Sequence, residues 1–175
     1  MKLFMSPFLI LVLLCMSLFS CDKLEDKPEG EVEICLLESF ELDGGEFSSA
    51  IDESTAVPES RPFIPYSGIK SYHRADHTFK LTDAYRDTVI HTGFPVSPTA
   101  FGVYANGELI YTGYFIPAYS SVGCAWTTID PLFVSSGNSL DVKLGYPAPF
   151  EGVDVPDRRN DPRILAIFDR DGKLK

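Results

Sequence analysis

Residues 100–115 read AFGVYANGELIYTGYF. Ala100–Tyr104 and Leu109–Phe115 are rich in aromatic and β-branched residues, and Asn106-Gly107 stands between them. Asn-Gly accepts positive φ at both central positions, which a tight type I′ turn demands. The stretch therefore predicts a β-hairpin, and with it a fold organised on a sheet.

Working upstream, Thr78-Phe79-Lys80-Leu81 reads as a brief strand. Thr82 or Asp83 can cap a following helix, with Tyr85 and Val89 on one face four residues apart. Gly93 ends that helix, and Pro95 and Pro98 keep it from resuming. Residues 46–70 are rich in Ser, Pro and Gly and read as a long surface loop, with short extended pieces near Phe63-Ile64 and Ile69. In Glu31–Leu42, the residues Val32, Ile34, Leu36, Phe40 and Leu42 share one parity, which predicts a long strand with one buried face. Leu37 breaks the alternation, and Asp43-Gly44-Gly45 supplies a turn.

Downstream, PAYSSVGC (residues 117–124) reads as a loop, and Ala125–Ile129 and Leu140–Leu144 as two more strands. Pro147–Asn160 is a Pro-rich connection. Asp161-Pro162 then places a capping side chain before a proline at the first helical position. Ile164, Leu165, Ile167 and Phe168 form the helix's apolar face, and Asp171-Gly172 stops it. Strands around two helices predict a single α+β domain over residues 31–175. Its expected form is a mainly antiparallel sheet with both helices packed on one face.

The N-terminus carries an address. Met1-Lys2 is a charged start, Phe8–Leu14 is a short apolar run, and Leu18-Phe19-Ser20 precedes Cys21. This is the order of a secretory signal, and its cysteine after the cut resembles a bacterial lipoprotein signal. Residues 1–20 are read as the signal peptide and Cys21 as the lipidated residue. The apolar run falls short of the ~20 residues a membrane span needs. Acyl chains on Cys21 would hold the protein at the membrane. Residues 21–30 are charged, carry Pro28 and Gly30 and lack aromatics, which reads as a flexible tether. The acidic stretch after Cys21 resembles the export signal of surface lipoproteins in the Bacteroidota. It points to a lipid-anchored place at the outer membrane, on its periplasmic or cell-surface face.

The formal charge is −10, and removing residues 1–20 takes Lys2 away and leaves −11. A negative field repels phosphate backbones, so no nucleic-acid partner is expected. Cys35 and Cys124 remain in the mature chain. In an oxidising compartment they form one disulfide, or they stay as two buried thiols acting as small hydrophobes.

Several phrases together resemble an uncharacterised family of Bacteroidota lipoproteins: EVEICLLESFEL, FKLTDAYRD, YSSVGCAW, VKLGYP and RNDPRILAIFDRDGKL. The resemblance spans most of residues 31–175 and implies an address and an architecture, without an activity. Residues 78–115 are more distantly similar to the periplasmic head subdomain of the translocase component SecDF. There a strand ends in a Leu-Thr phrase before a helix and a hairpin, as at Phe79–Thr82 and Asn106-Gly107 here. That similarity implies a shared βαββ unit and no translocation role.

Chemistry-bearing constellations are sparse. His73, Asp76 and His77 have a spacing that could hold zinc on a helix, but Lys70, Arg74 and Lys80 oppose a cation there, and no metal or cofactor is expected. Cys124 with His73, His77 or His91 could pair as nucleophile and base, though neither base nor oxyanion donor is evident in sequence. Paired carboxylates for glycoside cleavage need only the right separation in space, which sequence does not report. Asp157–Asp161 reads as a salt-bridged loop or a recognition patch. The strongest binding candidate is the aromatic stretch Tyr111–Trp126, with Tyr114, Tyr119, Ser120, Ser121 and Trp126 as its candidate contacts. The expectation is a lipid-anchored, non-enzymatic binding or assembly module with a protein or glycan partner, an inhibitor or immunity protein being the narrower form. The alternative is a small cell-envelope hydrolase acting on glycan or peptide.

Overall fold

A computed structural model describes residues 29–44 and 48–175. The segment read as a signal peptide, Cys21 and nearly all of the residues read as a tether lie outside the described residues. In chain order the strands and helices are β1 (Val32–Ser39), β2 (Val57–Pro58), β3 (Ile69–His73), β4 (Thr78–Leu81), α1 (Asp83–Thr92), β5 (Thr99–Ala105), β6 (Glu108–Phe115), β7 (Cys124–Ile129), β8 (Ser139–Tyr146) and α2 (Pro162–Arg170). The eight strands form one sheet in the order β2-β1-β5-β6-β7-β8-β4-β3. Neighbours pair antiparallel except β6 and β7, which pair parallel. The expected α+β layering therefore holds in outline, with a mixed sheet and few, short helices.

The sheet is bent back on itself. Laid flat, eight strands would put its ends about 34 Å apart. Ile64 exchanges backbone hydrogen bonds of 2.9 Å with Ile34 at the β1 end, yet Ile69, five residues on, begins β3 at the other end. Five residues reach at most about 18 Å. The curled sheet thus encloses a core shared by both ends. Val32, Ile34, Phe101, Val103, Phe115, Phe79 and Tyr72 all belong to it, with Val89 from α1 and Ile164, Ile167 and Phe168 from α2.

Local chemistry explains the elements. Asn106 (φ 53°) and Gly107 (φ 76°) make the expected turn between β5 and β6. Within that hairpin Val103 pairs with Tyr111 and Tyr104 with Leu109, so Ile110 is an extra residue. This bulge turns both Ile110 and Tyr111 into the inner core. α1 starts after Thr82, which makes no side-chain capping bond, and ends on Gly93 at φ 61°. α2 starts as expected, with Asp161 accepting from the Arg163 amide at 2.9 Å. Its Phe168 stacks on Tyr72 with centroids 5.4 Å apart and planes 17° apart. After α2 the tail runs along β3: the Tyr72 amide donates to Lys173 O and the Lys175 amide to Tyr72 O, both at 2.9 Å.

The long first strand needs correction. β1 ends at Ser39, and Phe40 and Leu42 are exposed. The parity breaker Leu37 packs instead on a second cluster, on the outer face, with Ile51, Ala100, Tyr114, Ile116 and Cys124. Both faces of this part of the sheet are covered, so single-face alternation fails there. Among the described residues no helix is long and apolar enough to cross a membrane.

Candidate functional site

The 117–124 loop owes its shape to the parallel pair. Tyr114 sits opposite Thr128 and Phe115 opposite Ile129. After Phe115 the chain must return several residues along the sheet before β7 can begin. The loop does this pressed against the outer face. Ser120 is buried, and its hydroxyl donates to Val96 O at 2.7 Å. Tyr114 is 7% exposed within the outer cluster, edge-on to Phe40. Of the candidate contacts, Tyr114 and Ser120 are therefore packing residues, while Tyr119 and Ser121 are exposed and Trp126 is half-buried. The expected continuous aromatic surface is not formed. Tyr119 and Trp126 line two separate concavities.

The first is an apolar groove of about 200 Å³ between the end of α1, the 117–124 loop and a turn at Pro131–Ser136. Ile90, Phe94, Tyr119, Pro131 and Leu132 line it. Asp130 builds the turn by accepting from the Leu132 amide at 3.0 Å, with Pro131 in the first helical position. Tyr119 is anchored by its hydroxyl, which donates to Phe94 O. Ile90, Tyr119 and Leu132 are large apolar side chains of this groove left exposed. A cluster of this kind marks an interaction surface more often than scattered apolar residues do.

The second is a polar cleft of about 280 Å³ where β6 and β7 stop pairing. The indole N–H of Trp126 donates to Thr112 Oγ1 at 3.0 Å across the gap between the strands. Residues 51–53 approach from one side and 156–158 from the other, and Arg158 Nη1 meets Glu53 Oε2 at 2.7 Å. Asp43, Asp52, Tyr111 and Thr127 complete the polar lining. Asp52 accepts from the Ser54 hydroxyl (2.6 Å) and amide (2.9 Å), which hold its carboxyl below the usual range. An ionised Asp52 suits hydrogen-bond acceptance, whereas a glycosidic general acid needs a raised pKa. Tyr111 is 3% exposed, and its hydroxyl has no partner among the described residues. Burial drives its pKa well above the ordinary value, so it remains a neutral donor. Sequence reasoning singled out the stretch of Tyr111 and, as a salt-bridged loop or recognition patch, that of Arg158, but missed Asp52 and Glu53, which reach the cleft from a loop distant in sequence.

The remaining candidates separate. Cys35 and Cys124 are both buried and both free. Cys35 lies opposite Gly102 on β5, and Cys124 begins β7, so β5 and β6 stand between them. Three strand spacings are about 14 Å, beyond the ~7 Å between Cα atoms that a disulfide spans. Of the two alternatives for these cysteines, the buried thiols are the one realised. Burial, helped by Glu33 and Glu59, pushes Cys35 up to about 11, and burial also raises Cys124. A protonated, buried thiol is a poor nucleophile.

His73 and His77 flank the turn between β3 and β4, with His73 Nε2 3.3 Å from Ser71 Oγ. Among the described residues no three metal-binding side chains converge. The Asp157–Asp161 stretch is an ion-paired loop: Arg159 grips Asp157 at 2.7 and 2.8 Å, and Asp161 accepts from Arg163 at 2.9 Å. No family model matches the chain, and neither a curated protein nor a solved structure matches it.

Proposed function

We propose that the protein is a lipid-anchored cell-envelope module that binds another protein through the Tyr119 groove and performs no chemistry of its own. The observation that carries this reading is the apolar groove with Ile90, Tyr119 and Leu132 exposed in its lining. The groove is preorganised. Tyr119 is tied to Phe94 O and Ser120 to Val96 O, so little loop ordering would oppose binding. The net charge of −10 favours a partner with a basic rim around its apolar contact. The signal and Cys21, read from sequence, would place the module at the outer membrane and leave the described residues clear of the bilayer. The hydrolase alternative is weakened by the raised thiol of Cys124 and the lowered carboxyl of Asp52.

Leu132→Asp introduces a charge at an exposed position of the groove and should leave the fold intact. Crosslinking in the native cells, run with the wild-type chain and with Leu132→Asp, should give one stoichiometric protein that the variant loses. A partner retained by the variant, or none in either sample, would overturn the reading.

A further inference from the structure

We infer that the protein bound at the Tyr119 groove sets a bulky apolar side chain into the groove and places lysine or arginine side chains on its β1 side alone. This rests on the reading of the groove as a protein-binding surface and adds the partner's charge pattern and its direction.

The first argument is the placement of the exposed apolar side chains. Leu36 pairs with Phe101, Thr99 with Phe115, and Phe115 with Ile129. The end of β1, the start of β5 and the ends of β6 and β7 therefore meet at one end of the sheet. Exposed there are Phe40 and Leu42 after β1, Val96 before β5, Tyr119 after β6, and Leu132 and Phe133 after β7. The opposite end carries polar residues, with Glu31, Asn106 and Glu108 among them. Exposed apolar side chains gathered at one end mark a contact surface more strongly than the same residues scattered would.

The second argument is the segregation of charge across that end. Residues 29–60 contain no lysine, arginine or histidine. Just beyond and within the last turn of β1, Glu38, Glu41 and Asp43 are exposed, and none forms an ion pair among the described residues. Between them and the groove the chain is almost uncharged. From Thr88 to Ile129 there is no Asp, Glu, Lys or Arg except Glu108, which starts β6 at the far end. Asp130 spends its carboxylate on the Leu132 amide, and the α1 carboxylates of Asp83 and Asp87 are paired with Arg86. On the β8 side the sign reverses: Lys143 lies 5.9 Å from the centre of the Phe133 ring, and Lys80 donates to Gly137 O and Ser139 Oγ. A partner's cations are thus attracted on the β1 side and repelled on the β8 side, which fixes the direction in which it docks.

The spacing follows from the sheet. β1 and β7 stand three strand spacings apart, at most about 14 Å. About four residues of extended chain cover that distance. Groove and carboxylates also fit together within the ~800 Å² that one partner covers in a standard interface.

The test uses synthetic peptides as the partner. Labelled six-residue peptides with phenylalanine at one end and a lysine pair at the other are made in both chain directions, beside versions with a glutamate pair or a serine pair. Binding to the purified protein is read by fluorescence anisotropy at low salt. In one direction the lysine version should bind about threefold or more tighter than the serine version, with the glutamate version weakest. Glu38→Gln combined with Glu41→Gln should abolish the lysine preference and leave the serine version unchanged. Leu132→Ala should weaken all three. Equal affinity for the three versions, all weakened by Leu132→Ala, would overturn this inference and leave the groove reading standing. A lysine preference that survives the double substitution would overturn it by placing the cations elsewhere. Binding indifferent to Leu132→Ala would overturn it too, because the anchor would then lie outside the groove. No binding of any peptide would overturn this inference, while crosslinking to the native partner would still decide the groove.

Discussion

The corner around α2 and the cleft beside Trp126 use the same side-chain types and differ in how completely they satisfy them. At the corner, Tyr66 donates to Asp171 Oδ2 at 2.7 Å and Tyr72 donates to Arg159 O at 2.8 Å. Lys173 donates to Tyr66 O and Ile69 O and lies 3.7 Å from the centre of the Tyr66 ring. Phe168 fills the space between Tyr66, Tyr72 and Phe79. Beneath the cleft, Tyr111 is nearly as buried as Tyr72, yet its hydroxyl has no partner among the described residues. The corner is chemically closed, and its polar groups serve the fold. At the cleft the lining groups also pair with one another, Trp126 with Thr112 and Glu53 with Arg158, but the Tyr111 hydroxyl sealed beneath them is left over.

Three substitutions can break or sharpen this contrast. Phe168→Ala should cost about 3–5 kcal/mol in denaturant unfolding, since it empties the aromatic junction that joins α2 to β3 and β4. A loss below about 1 kcal/mol would mean the corner can collapse and is not the closure described. Lys173→Met keeps much of the stem and removes two charge-assisted bonds to carbonyls, and should cost about 1–3 kcal/mol in the same assay. Preserved stability would mean that Tyr66 O and Ile69 O find water instead.

The smallest effect is expected at Asp157, on the loop between corner and cleft. The Arg159 side-chain bond is the main cause holding this carboxyl at about 2, against 3.8 for the free group. A depressed folded-state pKa contributes stability that is complete above about pH 4 and is lost as pH falls toward 2. Asp157→Asn should therefore lower stability slightly at neutral pH and flatten the acid limb of a Tm-against-pH curve. An unchanged acid limb would show that the Asp157–Arg159 grip carries no linkage. Its side chain is 44% exposed, so solvent screening keeps the effect modest.

The parts of this fold that were legible in the sequence are those with local causes. Asn106-Gly107, the Thr82–Gly93 helix and the Asp161-Pro162 cap each carry their own turn or capping chemistry within a few residues. A missed element had the same signal in view. Asp130-Pro131 repeats the Asp161-Pro162 pattern and starts the turn that forms one wall of the groove. What sequence periodicity could not convey is pairing. The short β2, the parallel match of β6 with β7 and the second buried cluster depend on partners tens of residues away. The cleft is a product of those same facts, because it exists only where the parallel ladder stops. Burial removed Tyr114 and Ser120 from the candidate contacts, Tyr119, Ser121 and Trp126 kept at least part of their surface, and the fold set Tyr119 and Trp126 in separate concavities.

The tail pairing on β3 has a further consequence. A sheet with two ends offers two rows of unpaired backbone groups, and these recruit other chains into aggregates. β2 is two residues long and contains Pro58, which blunts one end. At the other, Lys173 and Lys175 occupy the backbone of Tyr72, and Lys175 O accepts from the Arg74 amide at 3.0 Å. Residues 173–175 therefore cover this edge of the sheet against pairing with other chains. Disrupting this pairing, for example by Lys175→Pro, which removes the amide that donates to Tyr72 O, should increase self-association through β3 in light scattering.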